Sequence, residues 1–474
     1  MTRTLITIAA LLALSACSTV TPSYERSAAP VPEAWPSGAA YAPAQAASKE
    51  AADIAWQSFI LDERLRKVVA QALGGNRSLR QTLQDVAVAR AQYGEQRAAL
   101  MPTVGASVGT TASRSSTGST NSQGKPNTTY SRSATAGVSL SSWEIDLFGR
   151  MRNLSDAAME TWLASAEGAR STRITLIADT ATAWLQLATD RQQLLISQQT
   201  VESATRSVDV TRRRLAAGVA SRVDVRGAET VLFQAKADVA SYTTAVAQDR
   251  NALELLTGGR VDDALLPDGL PDDHAWLAEV PAGLSSNVLL RRPDVLQAEH
   301  QLKSANFSVG AARVAYFPQL TLTGSAGLAS TALSSLFDHG ASVWSLAPSL
   351  GLTLFDGGAR SAAVDAAQAS KLGYVAAYES TVQTAFKEVA DALARRGTMV
   401  DQLEADRSLV AAAQDSAGLS MARYEKGVDT FLNALTAQRT LYSAQQTLVS
   451  ARLTAWGNTV TLYKVLGGGV VDAP

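Results

Sequence analysis

Cysteine is almost absent from this chain: of 474 residues one is a cysteine, Cys17. A single thiol excludes an internal disulfide framework and any zinc site built on several cysteines. The three histidines, His274, His300 and His339, stand without metal-ligand spacing, so no metal and no cofactor is expected. Aromatic residues make up 6% of the chain, which leaves too few large side chains for one bulky core. Lys and Arg number 42 against 43 Asp and Glu, and this balance gives no basic footprint for nucleic acid. Long apolar runs are missing as well. The clearest, Leu5 to Leu14, falls short of the ~20 residues a spanning helix needs. Proline is missing from 127 to 266 and from 349 to 473, while five prolines fall between 267 and 318. Proline costs a helix interior about 3 kcal/mol, so the two empty spans permit very long helices.

What the chain does contain, it contains twice. An apolar helical stretch runs into Leu100-Met101-Pro102, followed by alternating residues and then Trp143-Glu144-Ile145-Asp146-Leu147-Phe148-Gly149. A long run leads to a turn at Arg214-Leu-Ala-Ala-Gly218-Val219 and closes at Leu256-Thr257-Gly258-Gly259. The second half repeats the order with Tyr316-Phe317-Pro318, Leu354-Phe355-Asp356-Gly357, Arg423-Tyr-Glu-Lys-Gly427-Val428 and Leu466-Gly467-Gly468-Gly469. From the first glycine turn onward the copies stay about 209 residues apart, which marks a duplicated domain and not a solenoid of short repeats.

The N-terminus reads as a processing signal: Arg3, the apolar stretch, then Leu14-Ser15-Ala16-Cys17. That ending resembles the lipobox of bacterial lipoproteins and makes Cys17 the candidate lipidation site. Acyl chains on it would anchor the chain to a membrane. Ser18 replaces the Asp that in such lipoproteins signals inner-membrane retention, so export to the outer membrane is implied. The expected organisation is a signal peptide over 1–16, a lipidated proline-rich linker over 17–50, and a first repeat over 51–259. A connecting segment over 260–291, a second repeat over 292–469 and a tail over 470–474 complete it.

Helical periodicity and seven-residue seams, such as Val375, Val382 and Val389, predict single helices over ~152–216 and ~360–426, each about 100 Å long. Shorter helices are expected over ~77–101 and ~293–317 and after each glycine turn. Two short helices together match one long one, which favours a cylinder of helices. Between them, Val104, Ala106, Val108 and Ala134, Ala136, Val138, Leu140 form one pair of alternating rows. Leu320, Leu322, Ala326, Leu328 and Leu346, Leu350, Leu352, Leu354 form another, with Ser, Thr and Gly opposite. Such segments are long enough for membrane strands, and the Ser/Thr-rich stretch 114–131 is expected as an external loop. Four strands cannot close a barrel, and an open edge in lipid leaves backbone groups unpaired, so oligomerisation is required; three copies give twelve strands.

Two motifs look like chemistry without its context. Gly105-Ala106-Ser107-Val108-Gly109 matches a nucleophile elbow but lies in an alternating strand. Gly118 to Lys125 is one residue too long for a phosphate loop, and Pro126 stands where Ser or Thr is needed. No enzyme is expected.

Together with Trp143 to Arg150 and Leu289-Leu-Arg-Arg-Pro-Asp-Val-Leu-Gln-Ala-Glu299, these motifs resemble the outer-membrane efflux proteins of the TolC/OprM type, in their lipidated NodT/OprM-like branch. The resemblance implies a mainly α fold with a membrane β-barrel part: a duplicated long-helix α-barrel plus four strands per protomer, closing as a trimeric twelve-stranded barrel. It implies a homotrimer in outer-membrane lipid that partners a periplasmic adaptor protein and an inner-membrane pump of the RND type. It also implies docking tips at Gly218, Val219, Ala220, Ser221 and at Gly427, Val428, Asp429, Thr430. For the periplasmic gate it implies Asp224, Tyr424 and Arg439, with Phe431 and Leu432 narrowing the pore. The chain departs from TolC at Asn433 and Thr436, where acidic residues stand, and at Asp429, where an arginine stands. The function so implied is an exit duct for small molecules; a duct for secreted polypeptides or a non-channel coiled-coil lipoprotein are the alternatives.

Overall fold

The structure, a computed structural model, describes residues 21–41, 53–120, 122, 124, 126–270, 275–280 and 285–469. Cys17, the signal segment, His274 and the tail lie outside the described residues. In chain order the elements are α1 (Trp56–Phe59), α2 (Glu63–Gly75), α3 (Arg77–Ala98), β1 (Val104–Thr120), β2 (Pro126–Ile145), α4 (Arg150–Ala216) and α5 (Arg222–Thr257). Then follow α6 (Pro293–Val314), β3 (Gln319–Ser330), β4 (Ser342–Gly351), α7 (Ala359–Glu425) and α8 (Phe431–Val465). The two proline-free spans hold uninterrupted helices of 67 residues each. No described helix is long and apolar enough to cross a membrane.

Two compact units divide the chain, and each draws on both repeats. One comprises Met1–Ser27, Val86–Ser165 and Ala298–Tyr378; the other comprises Ala28–Asp85, Ala166–Gln297 and Glu379–Pro474.

The first unit holds the four-stranded antiparallel sheet, in the order β1-β2-β3-β4. Its register puts Ala106, Val138, Ala326 and Trp344 in one row and Val108, Ala136 and Leu328 in the next, on one face. The neighbouring rows, such as Gly105, Ser139, Ser325 and Ser345, present hydroxyls and glycines to the other face. The apolar face is open: Val108 is 78% exposed and Trp344 79%. An irregularity between Leu140 and Trp143 shifts the parity of β2. Trp143 and Ile145 thereby join the apolar face and Glu144 the polar one. Where Gly137 meets Gly327, a Cβ on Gly327 would come within 2.3 Å of the Ala136 carbonyl, so the two backbones approach as only glycines allow.

The stretch 114–131, expected as a loop, is mostly strand: pairing continues from Arg114↔Tyr130 to Ser116↔Thr128. Its polarity follows from rising past the apolar band, and its Thr and Ser still suit an extended backbone. Leu352 and Leu354 fall just beyond β4, which ends at Gly351.

The proline-rich segment is bonded to both repeats over residues 21–41, where it is described. In the first unit Arg26 and Tyr24 both donate to the buried Glu299 carboxylate, and Asn306 donates to the Pro22 carbonyl. In the second unit Ser286 donates to the Pro32 and Glu33 carbonyls, and Trp35 stacks on Phe386. The Leu289–Glu299 motif is thus structural at both its charged ends: Arg292 donates to the Val465 carbonyl closing α8 and pairs with Glu388. Some of the scarce aromatics pair off in the second unit, where Phe59 stacks on Tyr463 at 3.9 Å and Trp184 meets Trp276 edge-on at 5.0 Å.

One half-buried pair of carboxyls carries a pH dependence. Asp249 of α5 sits beside Asp190 of α4; burial first, then a hydrogen bond with Asp190 and its charge, push the Asp249 carboxyl up to about 7. An unfolded Asp titrates near ~3.9, so from about pH 4 to about pH 7 the unfolded chain sheds a proton that the folded chain keeps. Stability therefore falls as pH rises through that window and stays lowered above it. Asp249→Asn is expected to unfold at a higher temperature than wild type at pH 8 and at the same temperature at pH 4. Parallel melting profiles across this range would contradict the assignment.

Candidate functional site

The two glycine turns are built alike. At the end of α4, Gly218 takes φ +76°, its N–H donates to the Leu215 carbonyl, and the Val219 N–H reaches back to Arg214 at 2.9 Å. At the end of α7, Gly427 takes φ +78°, donating to Tyr424, and Val428 reaches back to Arg423 at 3.0 Å. Both are Schellman closures, which need the left-handed residue that glycine supplies at no steric cost. Val219 and Val428 project from these turns into solvent.

Beyond the turns the copies diverge. Ser221 caps α5: its hydroxyl accepts from the Asp224 N–H at 3.1 Å, and the Asp224 carboxylate accepts from the Ser221 N–H at 2.7 Å. This reciprocal capping box satisfies two orphan donors of the helix start. Thr430, at the matching place before α8, makes no side-chain cap. Asp429 serves instead, accepting from the Thr430 N–H, from Asn433 Nδ2 at 2.7 Å and from Arg423 Nε at 3.1 Å. Those bonds, the Thr430 amide foremost, hold the Asp429 carboxyl below its ordinary range. Asp429 and Asn433, two of the departures from TolC, are thus partners of each other.

Tyr424 is buried among Ala204, Val208, Leu232, Phe431 and Leu435, with its ring 5.1 Å from that of Phe431. Its hydroxyl is buried and, among the described residues, unpartnered. Asp224 does not meet it, since every hydrogen bond of the Asp224 side chain stays within its own helix cap. Leu432 is exposed, and Arg439 of α8 donates to the Thr230 hydroxyl of α5. The proposed gate residues therefore divide into a buried pair, Tyr424 and Phe431, an α5 cap, Asp224, and a bridge between helices, Arg439.

A further tie between the two hairpins, beside Arg439, comes from a residue the sequence does not mark as a gate residue. Arg214, in the last turn of α4, donates from Nη1 to the carbonyls of Tyr424 at 2.9 Å and Glu425 at 3.3 Å. Its guanidinium lies 4.5 Å over the Tyr424 ring. A cation here meets the unsatisfied carbonyls and negative dipole end of α7. Its repeat counterpart, Arg423, stays within its own hairpin on Asp429. The only sequence signal was an arginine recurring four residues before each turn glycine, at Arg214 and Arg423.

Ser107, the apparent nucleophile, lies mid-strand opposite Gly137 with no turn beside it. Among the described residues no group of three or more His, Cys, Asp or Glu could hold a metal ion.

Comparison with known proteins bears on this geometry. The family model described as Outer membrane efflux protein matches residues 68–259 and 284–468. The chain is 42% identical over 470 residues to the probable efflux pump outer membrane protein TtgC of Pseudomonas putida, covering 99% of this chain and 96% of that one. It is 42% identical over 460 residues to the outer membrane protein OprJ of Pseudomonas aeruginosa, covering 97% and 94%. Its fold matches the open-state MtrE outer membrane channel of Neisseria gonorrhoeae with a TM-score of 0.85 at 36% identity, covering 95% of this chain and 98% of that one.

Arg214→Ala should free the end of α7. Hydrogen bonds to a charged group contribute about 1.5–3 kcal/mol, so amide exchange over residues 424–428 is expected to quicken by roughly ten- to a hundredfold. Exchange along the middle of α7 should not change. An unaltered rate at the turn would show that the guanidinium does not hold it.

Proposed function

This chain belongs to the outer membrane efflux protein family, and from that membership we propose that it is the exit duct of a tripartite efflux system. In this reading three copies close a twelve-stranded barrel, and small molecules pass through it to the exterior without energy input from the duct itself. The observation that carries the reading is the sheet: its apolar face is open, and β1 and β4 are unpaired edges within one chain. A bilayer tolerates strands only when every backbone group is paired, so the edges need other copies. A periplasmic adaptor would dock on the glycine turns, where Val219 and Val428 offer exposed apolar contacts beside Ala220, Ser221, Asp429 and Thr430. An inner-membrane pump of the RND type would supply the energy. Acylation at Cys17 would add a membrane anchor close in sequence to Tyr24 and Arg26, which hold Glu299.

We further assign the resting tie between the hairpins of one protomer to Arg214, with Tyr424 and Phe431 as its apolar bed and Arg439 as a second bridge. Asp224 supports its own helix start. This division predicts different phenotypes. In planar bilayers, purified wild-type trimers should give small, stable conductance steps; Arg214→Ala should raise the step by about twofold or more, since a lost charge-assisted bond is repeated in each copy. Asp224→Ala should raise it less. A protein that is monomeric in mild detergent and never conducts would refute the duct itself, whereas equal steps in wild type and Arg214→Ala would refute only the assignment of the tie.

The anchor is tested separately. Cells labelled with palmitate should mark the wild-type chain and leave Cys17→Ser unmarked. Label on both would remove the lipoprotein reading while leaving the barrel untouched.

A further inference from the structure

The four strands carry three charged residues: Arg114 on β1, and Arg132 and Glu144 on β2. Glu144 lies at the end next to the helices, where Arg150 and Gln319 donate to it. The two arginines lie at the other end. The register fixes their side: Val104, Ala106, Val108, Thr110, Ala112 and Arg114 alternate onto one face, opposite Leu140, Val138, Ala136, Ala134, Arg132 and Tyr130. Both guanidiniums therefore project from the apolar face, while Ser113 and Ser131 bond to each other at 2.6 Å on the polar one.

Their height on that face is informative. From Val104 to Ala112 a strand advances about 27 Å, or ~20 Å of depth at a tilt of ~40°, close to the ~25 Å apolar band of outer-membrane barrels. Arg132, level with Ala112, ends that stretch, and Arg114 comes one row beyond it, at the level of lipid headgroups on the side away from the helices. Arg114 pairs across the strands with Tyr130, and Arg132 with Ala112, so the arginines are diagonal neighbours about 7–8 Å apart. Arg114 lies 5.6 Å over the exposed Tyr130 ring, which stiffens it. Arg132 is exposed, and among the described residues no carboxylate pairs with either guanidinium.

We propose that Arg114, Arg132 and Tyr130 form a binding site for a membrane lipid whose phosphate headgroup carries a net negative charge, on the outward face of the barrel at its outer rim. The inference rests on the barrel reading above, which turns the apolar face to lipid. Two planar guanidiniums at this spacing can each offer forked donors to phosphate oxygens, and the tyrosine ring provides an amphipathic ledge at the same level. Uncompensated cations at the edge of an apolar band are unfavourable, and an anionic headgroup removes that cost.

The test uses the purified full-length trimer in detergent micelles holding equal amounts of phosphatidylglycerol and phosphatidylcholine, with retained lipid read by native mass spectrometry. Wild type should retain phosphatidylglycerol over phosphatidylcholine by about tenfold, as one charge-assisted contact implies, and Arg114→Gln/Arg132→Gln should show under about twofold preference. Should the double variant fail to assemble, Arg132→Gln alone carries the test, with a fall of about threefold expected. A preference unchanged in the variant overturns the proposal. So does its abolition in wild type by millimolar inorganic phosphate, which would mark a site for free anions. Conductance of the same samples separates the two readings: intact conductance with unchanged lipid retention sinks this site alone, and absent conductance in wild type sinks the duct.

Discussion

A backbone amide inside a bilayer has to find a partner, because hydrocarbon offers none, and each failure costs several kcal/mol. Much of this architecture follows from that requirement. Four strands leave β1 and β4 with one unpaired side each, so the protomer is an incomplete object by construction. The apolar face, carrying Val108 and Trp344 in the open, is equally unfinished without lipid. The helices answer the same requirement differently, α4 and α7 each satisfying their amides internally over 67 residues.

Duplication supplies the parts, and divergence gives them separate tasks. The two glycine turns close with the same hydrogen bonds, yet the arginines before them point to different partners: Arg214 crosses to the other hairpin and Arg423 folds onto its own. Ser221 with Asp224 and Asp429 with Asn433 solve the same helix-start problem by different chemistry. One hairpin is braced internally and the other reaches out, and between them lie the shared core around Tyr424 and Phe431 and bonds such as Arg439 to Thr230 and Gln438 to Ser207.

Sequence patterning revealed what is periodic and missed what is assembled. The long helices, their glycine ends and the apolar strand rows were legible because 3.6- and 2-residue periods and proline avoidance are local signals. The strand ends at 114–131 were obscured because polar composition resembles a loop, although pairing partners make it strand. Helix α2 and the docked segment 21–41 escaped because long-range contacts define them, such as Arg26 with Glu299 and Trp35 with Phe386. At the tips, the family resemblance points to Tyr424 and Phe431 by position, but their burial in a shared core is not legible in the sequence. Arg214 was hidden because its partners are backbone carbonyls, which carry no residue identity in a sequence.

The polar face of the sheet has a consequence of its own. Along it stand Ser, Thr and Gly at nearly every position, and the Gly137–Gly327 crossing removes side chains altogether where the strands draw closest. Turned inward by closure, such a surface offers a solute the same weak, interchangeable hydroxyl contact at every step. No position is much better than the next, so nothing lingers and nothing is sorted there. In the proposed duct, a wall of this kind would behave as a low-friction conduit, and discrimination would have to be completed before cargo reaches the strands.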